Sequence, residues 1–152
     1  MNKPPGAESS SARTVTILSV SPSGADHAAL CEILQDAKSK MATNCRWIVH
    51  PVSTAASTKE ALAQGEIPIV ISECDLSWGS WQTILQMISL VAEPPLLIVA
   101  SRLADERLWA EALNLGAWDV LAKPFDADDV TRVVASAWRH RQANWALSRS
   151  PQ

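Results

Sequence analysis

No apolar run in this chain approaches the ~18 residues of a membrane span, and its first residues contain no signal-peptide core. The expectation is a cytoplasmic protein with no membrane contact. Cysteine is scarce: Cys31, Cys45 and Cys74 are odd in number, widely spaced and without a CxxC pair. Neither a disulfide framework nor a zinc site follows from them, and they read as buried free thiols. Glycine occurs five times with no Gly-rich phosphate loop, and Gly65 and Gly79 read as turn residues. His27, His50 and His140 have no second ligand at metal spacing, and no Ser-His-Asp order or paired-carboxylate motif occurs. These gaps argue against an enzyme, a metal and a cofactor.

A strong charge of either sign is also missing. The formal net charge of -3 gives no bulk attraction to a nucleic-acid backbone. The late cations Arg132, Arg139, Arg141 and Arg149 follow Asp126, Asp128 and Asp129. Acids first and bases last suit the two ends of one helix dipole rather than a DNA-binding patch.

Hydrophobic residues make up 47% and charged residues 19%, which fits one globular domain. Residues 1–13, with two Pro, a Gly and three Ser in a row, read as a disordered tail, and 148–152 as a frayed end. Between them, residues 14–147 alternate in period. Short β-branched or apolar runs at 14–20, 46–52, 67–72, 96–100 and 118–122 read as strands. Pro51 places the second at an edge or at its own end.

Helical spacing fills the gaps. Ala29, Leu30, Ile33, Leu34, Ala37 and Met41 follow Ser23 as N-cap. A short helix at 58–64 stops at Gly65. Ser80 caps a helix with Trp81, Ile84, Leu85, Ile88 and Val91 on one face, which Pro94 and Pro95 break. Residues 103–115 end at Gly116. The last helix starts near Asp126 and buries Val130, Val133, Val134, Ala137 and Trp138, with Arg141 and Trp145 continuing the stripe. Five strands alternating with five helices predict a doubly wound α/β fold, with helices on both faces of a parallel sheet.

Chemistry in such sheets sits at the carboxyl ends of the strands. Those ends carry Ser21-Pro22, Glu73, Ser101 and Lys123-Pro124. The stretch LLIVAS…LNLGAWDVLAKPF resembles the receiver domain of bacterial response regulators, from residue 14 to about 142. Ser101 and Lys123-Pro124-Phe125 fall at the family's positions, while the first half matches by pattern only. The resemblance implies a flavodoxin-like sheet of order 2-1-3-4-5, a cis Lys123-Pro124 bond and a role in phosphorelay signalling. It also implies how such a site works. An Asp ending the third strand takes a phosphoryl group, an acidic pair after the first strand helps hold Mg²⁺, and a hydroxyl and a Lys bind the phosphoryl oxygens.

This chain departs from that pattern. Ser21 and Pro22 stand where the acidic pair belongs, Glu73 at the acceptor position, and Val120 at an aromatic switch position. An extra methylene displaces the carboxylate, and ~1 Å of misplacement costs about 100-fold in rate. The expectation is a degenerate phosphorylation site in which only Glu73 faces Lys123, as a static ion pair. With nothing after the fifth helix, the signal passes to another polypeptide by phosphorylation-independent contact. The partner is a histidine kinase, another signalling protein or a second copy, met on the face of the fourth helix, fifth strand and fifth helix. Two alternatives stand beside this: a receiver phosphorylated on Glu73 or Asp75 with Mg²⁺, and a small-ligand pocket at the same strand ends. Of the seven Trp, Trp47, Trp109 and Trp138 read as core or half-buried, while Trp78 and Trp118 are candidates for the interaction surface.

Overall fold

The structure, a computed structural model, describes residues 13–36 and 45–148, with side chains up to residue 144. Five parallel strands form the main sheet: β1 (Arg13–Val20), β2 (Cys45–Val52), β3 (Ile69–Glu73), β4 (Leu96–Ser101) and β5 (Asp119–Ala122). Their spatial order is β2-β1-β3-β4-β5, as expected. The helices are α1 (Gly24–Asp36), α2 (Ala55–Ala63), α3 (Trp81–Ser89), α4 (Glu106–Leu115) and α5 (Ala127–Ser148).

The continuous apolar strands are explained by burial on both faces. Successive side chains point to opposite sides, so each run divides between two cores. Ile17, Ile69, Ile71, Ile98 and Leu121 join Leu30 and Leu34 of α1 and Val130, Val134 and Trp138 of α5. Leu18, Val70, Leu97, Val99 and Val120 join Leu62 of α2, Ile84 and Ile88 of α3 and Ala112 of α4. Each fully buried Leu or Ile contributes roughly 1.5–3 kcal/mol. β2 is an edge strand, which accommodates Pro51.

Several boundaries differ from expectation. Arg13, assigned to the tail, opens β1 and lies over the Trp138 ring, 5.3 Å from its centroid. Ser148, assigned to the frayed end, closes α5. Residues 1–12 and 149–152, with Arg149, lie outside the described residues, as do Ala37, Met41 and the Trp145 side chain. α2 starts at Ala55 rather than Thr58, because Thr54 and Ser57 form a reciprocal capping box. β3 starts two residues late, at Ile69. α4 starts only at Glu106, where the Asp105 side chain accepts from Leu108 N. α3 ends at Ser89, before the two prolines, and Val91 packs from the following loop.

A two-stranded hairpin, Asp75–Leu76 with Gly79–Ser80, was not anticipated. A Cβ at Gly79 would meet the Thr83 Oγ1 of the α3 cap at 2.6 Å, so only glycine fits there. The Trp78 indole N–H donates to Ser53 O at 2.8 Å and ties this hairpin to the end of β2.

Gly116 ends α4 at φ 114 with open space around it. Gly116→Ala therefore acts through backbone strain alone. It is expected to cost about 1 kcal/mol in urea unfolding, with the m-value unchanged.

Candidate functional site

The order of the strands reverses at β1, so the carboxyl ends of β1 and β3 form the switch-point crevice. Lys123 leaves the end of β5, where its backbone N–H donates to Ser101 O at 3.0 Å and the Lys123-Pro124 bond is cis. From there the ammonium reaches two carboxylates: Nζ lies 2.7 Å from Asp26 Oδ2 and 2.5 Å from Glu73 Oε2. The Lys123 side chain is 8% exposed and the two acids 18% each. The expectation that only Glu73 faces Lys123 is thereby corrected.

Asp26 belongs to the first turn of α1, where an acid already favours the helix dipole. Ser23 accepts from Asp26 N at 3.3 Å, which supports its role as N-cap. Ser21 is buried, accepts from Ser23 N and donates from Oγ to Asp26 Oδ2, both at 3.1 Å. Ser21 thus orients the carboxylate that Lys123 meets, while Pro22 is exposed and makes no such contact. Glu73 Oε2 is buried without a well-directed hydrogen bond, so its contact with the ammonium is an attraction of charges. Burial is the largest influence on the Lys123 pKa and pulls it down. The bond to Asp26, the contact with Glu73 and the attraction of both charges outweigh burial and leave the ammonium above its ordinary value.

The other candidates are placed differently. Ser101 is buried, and its Oγ accepts from Leu103 N at 3.0 Å, which holds its own turn. Burial, then the charges of Asp75 and Glu73, push the pKa of the Cys74 thiol up, against a smaller lowering influence of the Ser101 hydroxyl. Of the three cysteines only Cys45 is buried, and Cys31 and Cys74 are half-buried. Asp75 is exposed on the hairpin, paired with Ser80 and apart from the ion cluster. Val120 is buried in the core under α4. His27 is satisfied on both nitrogens: Nδ1 lies 2.8 Å from Ser19 Oγ, and Nε2 3.0 Å from Ser21 O.

Trp47 and Trp138 are buried edge to face, but Trp109 is 42% exposed, contrary to expectation. Trp118 is half-buried and stacked on His140 at 4.6 Å. The late charges serve α5: Asp126 accepts from Asp129 N at its start, Arg132 pairs with Asp129, and Arg141 donates to Glu93 O. An open cavity of about 700 Å³ lies at the opposite, amino end of the strands, beside Arg13 and Pro68, and not at the expected strand ends. No helix among the described residues is long and apolar enough to cross a membrane.

The Mg²⁺ implied by the resemblance does not fit this donor set. The two nearest carboxylate oxygens both lie on an ammonium, and Ser21 and Pro22 offer no further acid. A divalent ion 4 Å from that ammonium would be repelled by about 8 kcal/mol at an effective dielectric near 20.

No family profile matches the chain, and no curated protein does. Solved structures do. A signal receiver domain from Vibrio parahaemolyticus superposes with a TM-score of 0.76 at 19% identity, over 91% of this chain and all of that one. The signal receiver domain of an HD domain-containing protein from Pseudomonas fluorescens Pf-5 gives 0.64 at 22%, over 86% and 99%. The beryllofluoride-activated NtrC4 receiver domain dimer gives 0.71 at 15%, over 83% and 98%. The fold is that of response-regulator receiver domains.

Lys123→Ala is expected to cost about 2 kcal/mol in urea unfolding. That is less than the 3–5 kcal/mol of a deeply buried pair, because both carboxylates still reach water. A raised lysine pKa stabilises the fold fully below the unfolded value. From neutral pH up to about pH 10.4 the wild-type advantage over Lys123→Ala should therefore hold, and it should fade as pH rises through the higher folded value.

Proposed function

We propose that this chain is a receiver-like signalling domain that works by protein contact and is not phosphorylated. The closed ion cluster carries this reading. Lys123, which the resemblance would assign to phosphoryl oxygens, is held between Asp26 and Glu73. One ammonium and two carboxylates sum to a single negative charge, so an incoming phosphoryl dianion meets repulsion and no available cation. Glu73 in place of an acceptor Asp and buried Val120 in place of an aromatic switch support the same conclusion.

The contact surface is best sought on α4. Trp109 and Leu113 are 42% and 41% exposed, and Leu103 beside the helix is 79% exposed. At 100° per residue Trp109 and Leu113 each lie about 160°, nearly half a turn, from Glu111. Glu111 accepts from Gln82 of α3 at 2.7 Å, so Trp109 and Leu113 occupy the side of α4 turned away from α3. An exposed Trp and an exposed Leu one helical turn apart on that side fit a protein interface. The occupant is a second copy of the chain or another signalling protein such as a histidine kinase. Trp118 is instead stacked on His140 of α5, and Trp78 is engaged with Ser53.

Thermal melting with Mg²⁺ and beryllofluoride tests the first part: Tm is expected to stay within about 1 °C. A rise of about 4 °C or more would reinstate a phosphorylatable receiver using Glu73 or Asp75. For the surface, Trp109→Ser with Leu113→Ser should leave Tm nearly unchanged. It should weaken self-association, or capture of the cognate kinase, at least about 10-fold by ultracentrifugation or pull-down.

A further inference from the structure

We infer that Lys123 is the resident cation of the strand-end site: its ammonium takes the place of a divalent metal ion between Asp26 and Glu73. The inference rests on the proposed phosphorylation-independent reading but goes further, since it assigns the cation that the two carboxylates share. Asp26 Oδ2 and Glu73 Oε2 converge on one Nζ at 2.7 and 2.5 Å, so they stand no farther apart than the sum of those contacts. That spacing suits two oxygens sharing a single cation. Glu73 Oε2 supplies an independent sign, because it is buried and has no directed hydrogen bond. Its charge is compensated by the ammonium. The same Asp26 oxygen also accepts from the Ser21 hydroxyl.

A tethered ammonium has consequences that a bound metal lacks. It cannot be removed by a chelator or diluted away, and it arrives with the end of β5. The site's charge is therefore settled when the sheet forms and does not follow the concentration of an outside ion. A divalent ion offered to the folded protein meets a filled position. With Lys123 truncated, the same two carboxylates face each other across an empty one and become a cation site.

The test uses Mn²⁺ alone, without any phosphoryl analogue, on the full chain. Titration of the wild type followed by the electron paramagnetic resonance of free Mn²⁺ is expected to show no site tighter than about 1 mM, and Tm should not move. In Lys123→Ala, Mn²⁺ should restore several degrees of the lost Tm, and adding Asp26→Asn should abolish that recovery. Failure of Mn²⁺ to raise the Tm of Lys123→Ala overturns the inference. So does a sub-millimolar site in the wild type, a measurement that stands even where the variant does not fold. Either failure, with beryllofluoride still without effect, leaves the proposed function in place. Stabilisation of the wild type by beryllofluoride with Mg²⁺ would instead remove that function.

Discussion

The ammonium of Lys123 is where three distant pieces of the chain meet. Asp26 comes from the first turn of α1, Glu73 from the end of β3 and Lys123 from the end of β5. A buried ion pair adds little net stability over an apolar replacement, yet losing one partner is costly, because a desolvated charge is left behind. The cluster therefore acts as a constraint more than as a source of binding energy. It fixes α1 against the sheet through Ser21 and Asp26, and it fixes the charge of the crevice through Lys123.

The scaffold holds this constraint rigid. Both faces of the sheet are packed, and Ile17, Leu18, Val20, Ile69, Val70, Ile98 and Val99 are wholly removed from solvent. Carboxyl ends of such strands shift little, so the three charged groups keep their spacing. α4 is different. It buries only Ala112 fully and presents Trp109 and Leu113 to water. Light burial places a helix at the less stable end of a domain's local equilibria. The rigid crevice, with its cation built in, thus lies beside a lightly anchored helix with exposed apolar side chains.

Much of the architecture was legible in the residues. Runs such as LLIVA and IPIVIS could bury both faces only in a parallel sheet, and Gly116 could only end a helix. The less legible parts had weak local signals. The hairpin after β3 has two-residue strands, too short to show a period. The start of α2 depends on Ser57 in a capping position more often filled by Glu or Gln. Trp109 lies on an apolar arc that is continuous in sequence, and nothing local says that the core ends partway around it.

The site divides along the same line. Ser101, Lys123 and Glu73 could be placed at strand ends because each follows a strand whose apolar run marks it, and the loss of acids at Ser21 and Pro22 is a matter of residue identity. Asp26 was not placed, since an acid in the first turn of a helix already has a local reason to be there. Its partner lies 97 residues away, a distance that no periodicity or capping pattern spans. Sequence alone determined the elements, their faces and the chemistry at each strand end, because these follow from local propensity and side-chain type. Which charges share a solvent-poor point was decided only when the fold brought the start of α1 and the carboxyl ends of β3 and β5 together, because Coulomb interaction depends on distance through space and on burial, not on position along the chain.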